Sequence, residues 1–149
     1  MSVELDDRAG SGVLDSEIAR VVDAVLGAES VGEVEVGVII VGDEDMQTLN
    51  REHRQVDSTT DVLSFPIDED DDEPLAGVPR MLGDIAICLP VVMAQARERE
   101  VSPAAELTDL LVHGTLHLLG YDHETDTGEM LVRQDEIGDE IVTIAWQPA

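Results

Sequence analysis

Three of the four histidines of this chain lie within the segment His113-Gly-Thr-Leu-His-Leu-Leu-Gly-Tyr-Asp-His123. Imidazoles four positions apart on an α-helix share one face, so His113 and His117 are expected to lie side by side. Gly120 is expected to end the helix, because glycine tolerates the left-handed conformation common at C-caps, and the turn returns His123 toward the helix. Three imidazoles without an evident fourth protein ligand are typical of a zinc-type ion that keeps one position for water. The segment therefore predicts a catalytic metal site.

The alternative is that these histidines are hydrogen-bonded residues of an apolar core. A lone histidine on an apolar helix usually has that role, but this chain has only four histidines, and chance rarely places three of them with a glycine at this spacing. We therefore favour a metal site with His113, His117 and His123 as ligands. One Zn²⁺ ion is expected, and other divalent cations fit the same ligands.

The histidine spacing matches that of the metzincin peptidases, whose motif is His-Glu-x-x-His-x-x-Gly-x-x-His. In those enzymes the glutamate serves as general base. Here Gly114 stands at the position of that glutamate. The spacing thus permits a metallopeptidase, and Gly114 argues against one.

The same segment more closely resembles the signature of the YbeY family, bacterial endoribonucleases that mature ribosomal RNA. That signature, His-Gly-x-Leu-His-Leu-x-Gly-Tyr-Asp-His, is met from His113 to His123. Other parts that resemble the family are Asn50-Arg-Glu-His-Arg54, Asp57, Thr60-Asp-Val-Leu-Ser-Phe-Pro66 and Leu82-Gly-Asp-Ile85, within a resemblance from about Val36 to Leu131. The chain departs from the family at Val56, where relatives often carry lysine, and at Thr59, where they often carry proline. Both departures lie in the loop next to Arg54, so the resemblance implies the metal ligands but not the details of substrate contact in this loop.

The chemistry expected of such a site is hydrolysis of a phosphodiester. Zinc lowers the pKa of a bound water to about 7, so hydroxide forms without the peptidase glutamate. The negative charge that builds on the phosphate needs a cation, and a guanidinium offers a planar fork to two oxygens. The resemblance implies that Arg54 is this catalytic residue, and a surface salt bridge is the alternative role.

Four further residues are secondary candidates. Arg51 can share a helical face with Arg54 and help to gather RNA. Asp84 and Asp122 are candidate partners of the metal-binding imidazoles, which usually donate their other N–H to a carboxylate or carbonyl; holding its loop is the alternative role of Asp84. His53 could donate a proton, but an ordinary surface role is preferred.

Composition favours one globular domain over residues 1–149. With 149 residues, 43% of them hydrophobic, the chain can bury one core and is too short for two ordinary domains. No apolar run approaches the roughly 20 residues of a membrane helix, and the first residues lack a signal-peptide pattern. Because the single cysteine, Cys88, forms no internal disulfide, a cytoplasmic protein is expected, with Cys88 as a small buried hydrophobe.

The chain is strongly acidic. Its 34 Asp and Glu residues face eight arginines and no lysine, for a formal net charge of −26. A protein that binds RNA by neutralising phosphates usually has a broad basic face, which this composition excludes. Three explanations stay open: a salty host cell, a small and local RNA contact, or a docking surface supplied by the ribosome. Weak affinity for naked RNA is expected, with no DNA or membrane as partner.

Hydrophobic periodicity predicts strands interspersed with helices. The expected strands are an edge strand from Met1 to Asp7, then Val34 to Val41, Val62 to Ile67 and Ile85 to Leu89. The expected helices run from Asp15 or Ser16 to Leu26, from Glu44 to His53, from Pro90 to Arg99, from Pro103 to about Leu119, and from Thr127 to Ala145. Asp15 or Ser16 is expected to cap the first helix, and Asp126 with Glu129 is expected to form a capping box for the last. This order predicts an α/β or α+β fold. The resemblance implies a small mixed sheet packed with helices, with the metal at one end.

The helix that begins at Pro103 is expected to be central, because it is apolar on nearly every side after Leu107. Gly114 in its middle is unfavourable by roughly 1 kcal/mol relative to alanine. It either gives space beside the metal or allows close helix packing, and the sequence leaves both open. Six consecutive acids from Asp68 to Glu73 are interpreted as a solvated, mobile loop rather than a cation site.

Taken with the resemblance, these features predict a zinc-dependent, single-strand-specific endoribonuclease. The resemblance alone implies its place in late 3′-end maturation of small-subunit ribosomal RNA and in ribosome quality control, with ribosomal RNA and the ribosome as partners. The alternatives are a zincin-like metallopeptidase and a non-catalytic, metal-stabilised factor associated with the ribosome.

Overall fold

The computed structural model describes residues 2–67, 80–122 and 124–148, which contain four strands and five helices. The strands are β1 (Ser2–Asp7), β2 (Val34–Val41), β3 (Val62–Pro66) and β4 (Arg80–Cys88). The helices are α1 (Asp15–Ala28), α2 (Asp43–Arg54), α3 (Leu89–Arg99), α4 (Pro103–Leu118) and α5 (Glu129–Glu140). Within these ranges no helix combines the length and the apolar character that crossing a bilayer requires. The acidic run Asp68–Glu73 lies outside the described residues.

The four strands form one mixed sheet in the order β1-β2-β4-β3. β1 and β4 both run parallel to β2, whereas β3 is antiparallel to β4. Because side chains alternate along a strand, Val36 and Val38 of β2 are buried on the face that meets α1 and α4 in the main core. The opposite face carries a smaller cluster that includes Met46 of α2 and Leu63 of β3. The predicted fold class, a small mixed sheet packed with helices, is confirmed, and β1 is the expected edge strand.

Helix α4 is the buried central helix of the fold. It begins as predicted, because the Ser102 hydroxyl accepts a hydrogen bond of 3.0 Å from the Ala105 amide and proline opens the first turn. It contacts α1, α3, α5, β3 and β4. A Cβ added at Gly114 would lie 2.9 Å from Cγ2 of Ile85 and 3.4 Å from Cγ2 of Val62. Of the two explanations for this glycine, the structure therefore favours close packing, here between the helix and the sheet.

The start of α1 differs from the prediction. The N-cap is Leu14, whose side chain accepts no hydrogen bond, so neither Asp15 nor Ser16 is the cap. Both residues instead lie in the first turn, where the carboxylates of Asp15 and Glu17 complement the positive end of the helix dipole. The predicted cap was therefore wrong by one or two positions, and the acidic first turn still stabilises the start of the helix.

The final helix is shorter than predicted. It spans Glu129–Glu140, after Gly128 in the left-handed conformation, and does not reach Ala145. The Asp126 carboxylate accepts hydrogen bonds of 2.9 Å from the amides of Gly128 and Met130, as a capping side chain does. The reciprocal half of the predicted capping box is wrong, because the Glu129 carboxylate bonds the Thr127 amide instead of the Asp126 amide.

The segment after α5 packs back against the N-terminal third of the chain. The Trp146 indole donates a hydrogen bond of 2.8 Å to the Ser11 carbonyl, and the ring is only 9% exposed. The Ala145 amide donates to the Glu17 carboxylate at 2.7 Å. Burial of an aromatic ring with its polar atom satisfied ties this segment firmly to the body of the domain.

Candidate functional site

A cavity of about 640 Å³ opens between α4, β3 and the C-terminal end of α2. His113 and His117 line it from α4, and Arg54 lines it from the last residue of α2. The wall is completed by β3 and by the turn that follows α4. Two of the three predicted metal ligands and the predicted catalytic arginine therefore face one space, although they come from different elements.

The pair of imidazoles on α4 has the arrangement expected from the helical repeat. The ring centroids of His113 and His117 lie 4.7 Å apart, with the ring planes at 75°. Nδ1 of His113 is 2.8 Å from Oε1 of Gln134 on α5. An oxygen acceptor at Nδ1 keeps the ring proton there, which leaves Nε2 as the nitrogen with a lone pair for a metal. The two described imidazoles are donors of the kind that a zinc-type ion accepts.

His123, the third predicted ligand, lies outside the described residues. Among the residues that are described, no group of three His, Cys, Asp or Glu side chains is close enough to hold a metal ion. Asp122 and Glu124, the residues before and after position 123, both line the cavity. The complete set of three imidazoles thus stays a prediction.

The predicted turn after α4 is confirmed as far as Asp122. Gly120 has a φ of +101°, in the left-handed region that favours glycine. Its amide donates to the His117 carbonyl at 3.0 Å, and the Tyr121 amide donates to the Leu116 carbonyl at 3.2 Å. The Asp122 carboxylate accepts from the Glu124 amide at 3.0 Å and so shapes the turn. This residue remains a candidate partner of the imidazoles.

Arg54 makes only a long ion pair within the described part of the chain. One of its terminal nitrogens is 3.5 Å from Oε1 of Glu124, and its side chain is 53% exposed. An exposed pair at this distance contributes little to stability. The guanidinium can therefore exchange Glu124 for a more strongly charged anion in the cavity. Both roles considered for Arg54 are thus compatible with its position.

Two of the secondary candidates lie away from the cavity. Arg51 is absent from the cavity wall, and its guanidinium lies 3.5 Å from the Asp57 carboxylate. Asp84 is on the other face of the sheet, beside Gly37, because its neighbour Ile85 points toward α4. A side chain that points away from α4 does not reach the histidines. Asp84 is therefore not placed to accept a hydrogen bond from the metal-binding imidazoles, as the sequence had suggested.

The structure adds neighbours of the histidines and of the cavity that the sequence did not assign to the site. Ser64 donates a hydrogen bond of 3.0 Å to the Gly114 carbonyl and so connects β3 to the histidine helix. Gln134, the partner of His113, comes from α5 and carries no motif of its own. His53 is exposed, as expected, and its ring also lines the cavity. The contacts of Ser64 and Gln134 depend on how β3 and α5 pack against α4, so the sequence alone did not reveal them.

A buried polar network supports the wall at the start of β3. Glu106 of α4 is 2% exposed, and its carboxylate accepts from Arg99 at 3.2 and 3.3 Å. With its amide nitrogen turned toward the acids, Gln95 donates to Glu106 at 2.8 Å and to Asp61, a cavity residue, at 3.3 Å. Burial raises the pKa of the Glu106 carboxyl, against the opposing effect of Arg99.

The geometry defines the class of the candidate site: imidazoles able to bind a metal or move protons share one cavity with a guanidinium able to hold an anion. A family model described as "Endoribonuclease YbeY" matches residues 6–142. The chain belongs to the YbeY family. The resemblance seen in the histidine motif is thereby confirmed over most of the chain.

Relatives of similar length carry the same description. A protein from Chloroflexus aurantiacus named "Endoribonuclease YbeY" is 47% identical over 144 residues, which cover 92% of each chain. A protein of that name from Moorella thermoacetica is 47% identical over 82% of this chain and 83% of the relative. The solution structure of TM1509 from Thermotoga maritima matches with a TM-score of 0.62 and 32% identity, over 93% of this chain and 87% of that one.

Proposed function

We propose that this protein is a metal-dependent endoribonuclease that processes ribosomal RNA. The observation that carries the proposal is the shared cavity, which His113 and His117 of α4 line together with Arg54 of α2. Membership of the YbeY family supports endonuclease action on RNA. The proposed substrate is the 3′ end of small-subunit ribosomal RNA in its single-stranded form. The proposal also includes a role in ribosome quality control.

His113 and His117, together with His123, would hold one Zn²⁺ ion. When bound, zinc supplies an acidified water at neutral pH and a Lewis acid for phosphate oxygens. Gln134 fixes the proton of His113 on Nδ1, which directs Nε2 toward a metal. Arg54 binds the scissile phosphate through two parallel N–H donors and counters the charge that builds on its oxygens.

The acidic composition limits how RNA is held. At a formal charge of −26, long-range attraction of phosphates is excluded, so binding depends on close contacts in the cavity. The proposal therefore includes the ribosome as the partner that brings the substrate near, and the cytoplasm as the compartment. Affinity for isolated RNA is expected to be low and to depend on Arg54.

The test is a cleavage assay with an RNA that carries a single-stranded 3′ extension, with chelator, with restored Zn²⁺, and with casein as a control substrate. Arg54→Ala should lower the rate constant roughly 10²- to 10³-fold, and Arg54→Lys should recover only part of it, because lysine lacks the fork. Arg8→Ala is the matched control, since Arg8 is exposed and pairs with Asp6 outside the cavity. Elemental analysis of the purified protein measures its metal content.

Cleavage of RNA that is insensitive to the chelator would remove the metal from the mechanism. Casein cleavage in place of RNA cleavage would point to the peptidase alternative, and turnover of neither substrate would point to a non-catalytic factor. Full activity of Arg54→Ala with normal metal content would exclude Arg54 from catalysis.

A further inference from the structure

The cavity wall beside Arg54 carries an aromatic ring that the proposed chemistry does not use. His53 immediately precedes Arg54, is exposed, and lines the same cavity. Its imidazole packs against the ring of Phe65 on β3, with the ring centroids 4.3 Å apart and the planes at 55°. This contact fixes the orientation of a flat, exposed ring next to the phosphate-binding candidate. The chain has one Phe, one Tyr and one Trp, so such a pair is uncommon in it.

Flat rings next to cationic side chains are the elements with which proteins bind unpaired nucleotides. Unstacked bases of RNA stack on Phe, Tyr, Trp or His rings, while cationic side chains hold the backbone. In a chain with a net charge of −26, stacking has a particular advantage, because it does not require a broad basic face. Because the His53 ring is already held by its contact with Phe65, it loses less conformational entropy on binding a base than a freely rotating ring would.

We propose that the His53 ring, supported by Phe65, is a stacking site for an unpaired nucleobase adjacent to the phosphate held by Arg54. This inference rests on the proposed function and names how its substrate is recognised. In a duplex both faces of a base are covered by its neighbours, so only a single-stranded segment can offer a base to this ring. Preference for unpaired RNA then follows from the wall of the cavity itself.

The test compares His53→Phe with His53→Leu, two apolar replacements of which only phenylalanine keeps a flat ring. Binding is measured by fluorescence anisotropy with a labelled single-stranded RNA that carries a 2′-O-methyl block at the cleavage site, in the presence of a chelator, so that neither a ribose hydroxyl nor metal-activated water cleaves it. His53→Leu should weaken binding about fivefold to a hundredfold, the effect of losing one stacked base, and His53→Phe should bind like the wild type. Circular dichroism melts of both variants check that the fold is intact.

A second measurement locates the base. Single abasic sites are introduced at each position near the block, and the position that matters should weaken binding to the wild type but not to His53→Leu. Strictly additive effects of the abasic site and of His53→Leu would overturn the proposal. A His53→Phe variant as weak as His53→Leu would also overturn it, because a polar role of the imidazole would then explain the loss.

The two proposals can fail separately. If the wild type does not cleave RNA yet binds the blocked oligonucleotide in a manner that depends on the ring at position 53, the stacking site stands and the endonuclease assignment falls. If RNA is cleaved and the identity of residue 53 changes neither binding nor the preference for unpaired over duplex substrate, the stacking site falls alone. Absence of both binding and cleavage overturns both.

Discussion

Replacing Gly114 with alanine should destabilise the protein, although the same change in an open helix is stabilising. The new Cβ would lie 2.9 Å from Cγ2 of Ile85, closer than real Cβ contacts allow, and 3.4 Å from Cγ2 of Val62. Ile85 has no exposed surface and is fixed in β4, so its methyl group cannot turn toward solvent. Relief of the contact requires α4 to move away from the sheet.

The net effect follows from two opposing terms. Alanine is better than glycine in a helix interior by roughly 1 kcal/mol. Extra atoms in a packed core are unfavourable by about 1–3 kcal/mol. Gly114→Ala should therefore lower the free energy of unfolding by up to about 2 kcal/mol. Because Ser64 donates to the Gly114 carbonyl, the displaced helix should also disturb the cavity wall that carries His113.

Urea unfolding followed by far-UV circular dichroism measures this change. The matched control is Gly138→Ala in α5, where a Cβ would meet nothing within 4 Å and a gain of roughly 0.5–1 kcal/mol is expected. In a double-mutant cycle, Ile85→Ala should relieve the contact and give a favourable coupling of about 1 kcal/mol or more with Gly114→Ala. If Gly114→Ala stabilises the protein as much as Gly138→Ala, the packing explanation is refuted.

Three further predictions concern other contacts of α4. Ser102→Ala removes the helix cap and should lower the free energy of unfolding by about 1 kcal/mol in urea titration. Burial raises the pKa of the Glu106 carboxyl in the folded protein. The stability that this carboxyl contributes is therefore fully present below its usual pKa, and it is lost as the pH rises through the raised pKa of the folded state. Glu106→Gln should therefore gain stability relative to the wild type as the pH rises above the usual pKa of a glutamate carboxyl, and a difference that does not change with pH would contradict this. Gln134→Leu should weaken Zn²⁺ binding roughly 10- to 100-fold in a chelator competition while leaving the apoprotein melt unchanged.

Most of the fold could be predicted because its elements have strong periodic patterns. Strand β2 matches the predicted bounds Val34 to Val41, and α4 begins at Pro103, where a capping serine and proline coincide. The errors fall where local signals compete. Ser16 resembles a cap but lies inside the first turn of α1. The strand predicted from Ile85 begins earlier, at Arg80, because the residues before Ile85 have no alternating apolar pattern that would predict a strand.

The candidate site was predictable only where its residues are close in sequence. His113 and His117 share a helical repeat, so their proximity follows from helix geometry. Gln134 lies on another helix, and its contact with His113 depends on how α5 packs, which no local pattern encodes. Asp84 is the opposite case. Its place in a motif suggested that it partners the histidines, but side chains alternate along β4 and that of Asp84 lies on the other face of the sheet.

The docked segment after α5 gives the molecule a built-in optical reporter. The chain has a single tryptophan, Trp146, and its indole is held by the Ser11 carbonyl. Emission from this ring therefore reports detachment of residues 141–148 from the body of the domain, separately from helix content. During synthesis these residues emerge after the histidine helix, so the contact of Trp146 with Ser11 forms only once that helix has been made. Quenching of Trp146 fluorescence in chains stalled on the ribosome during synthesis would follow the docking of this segment directly.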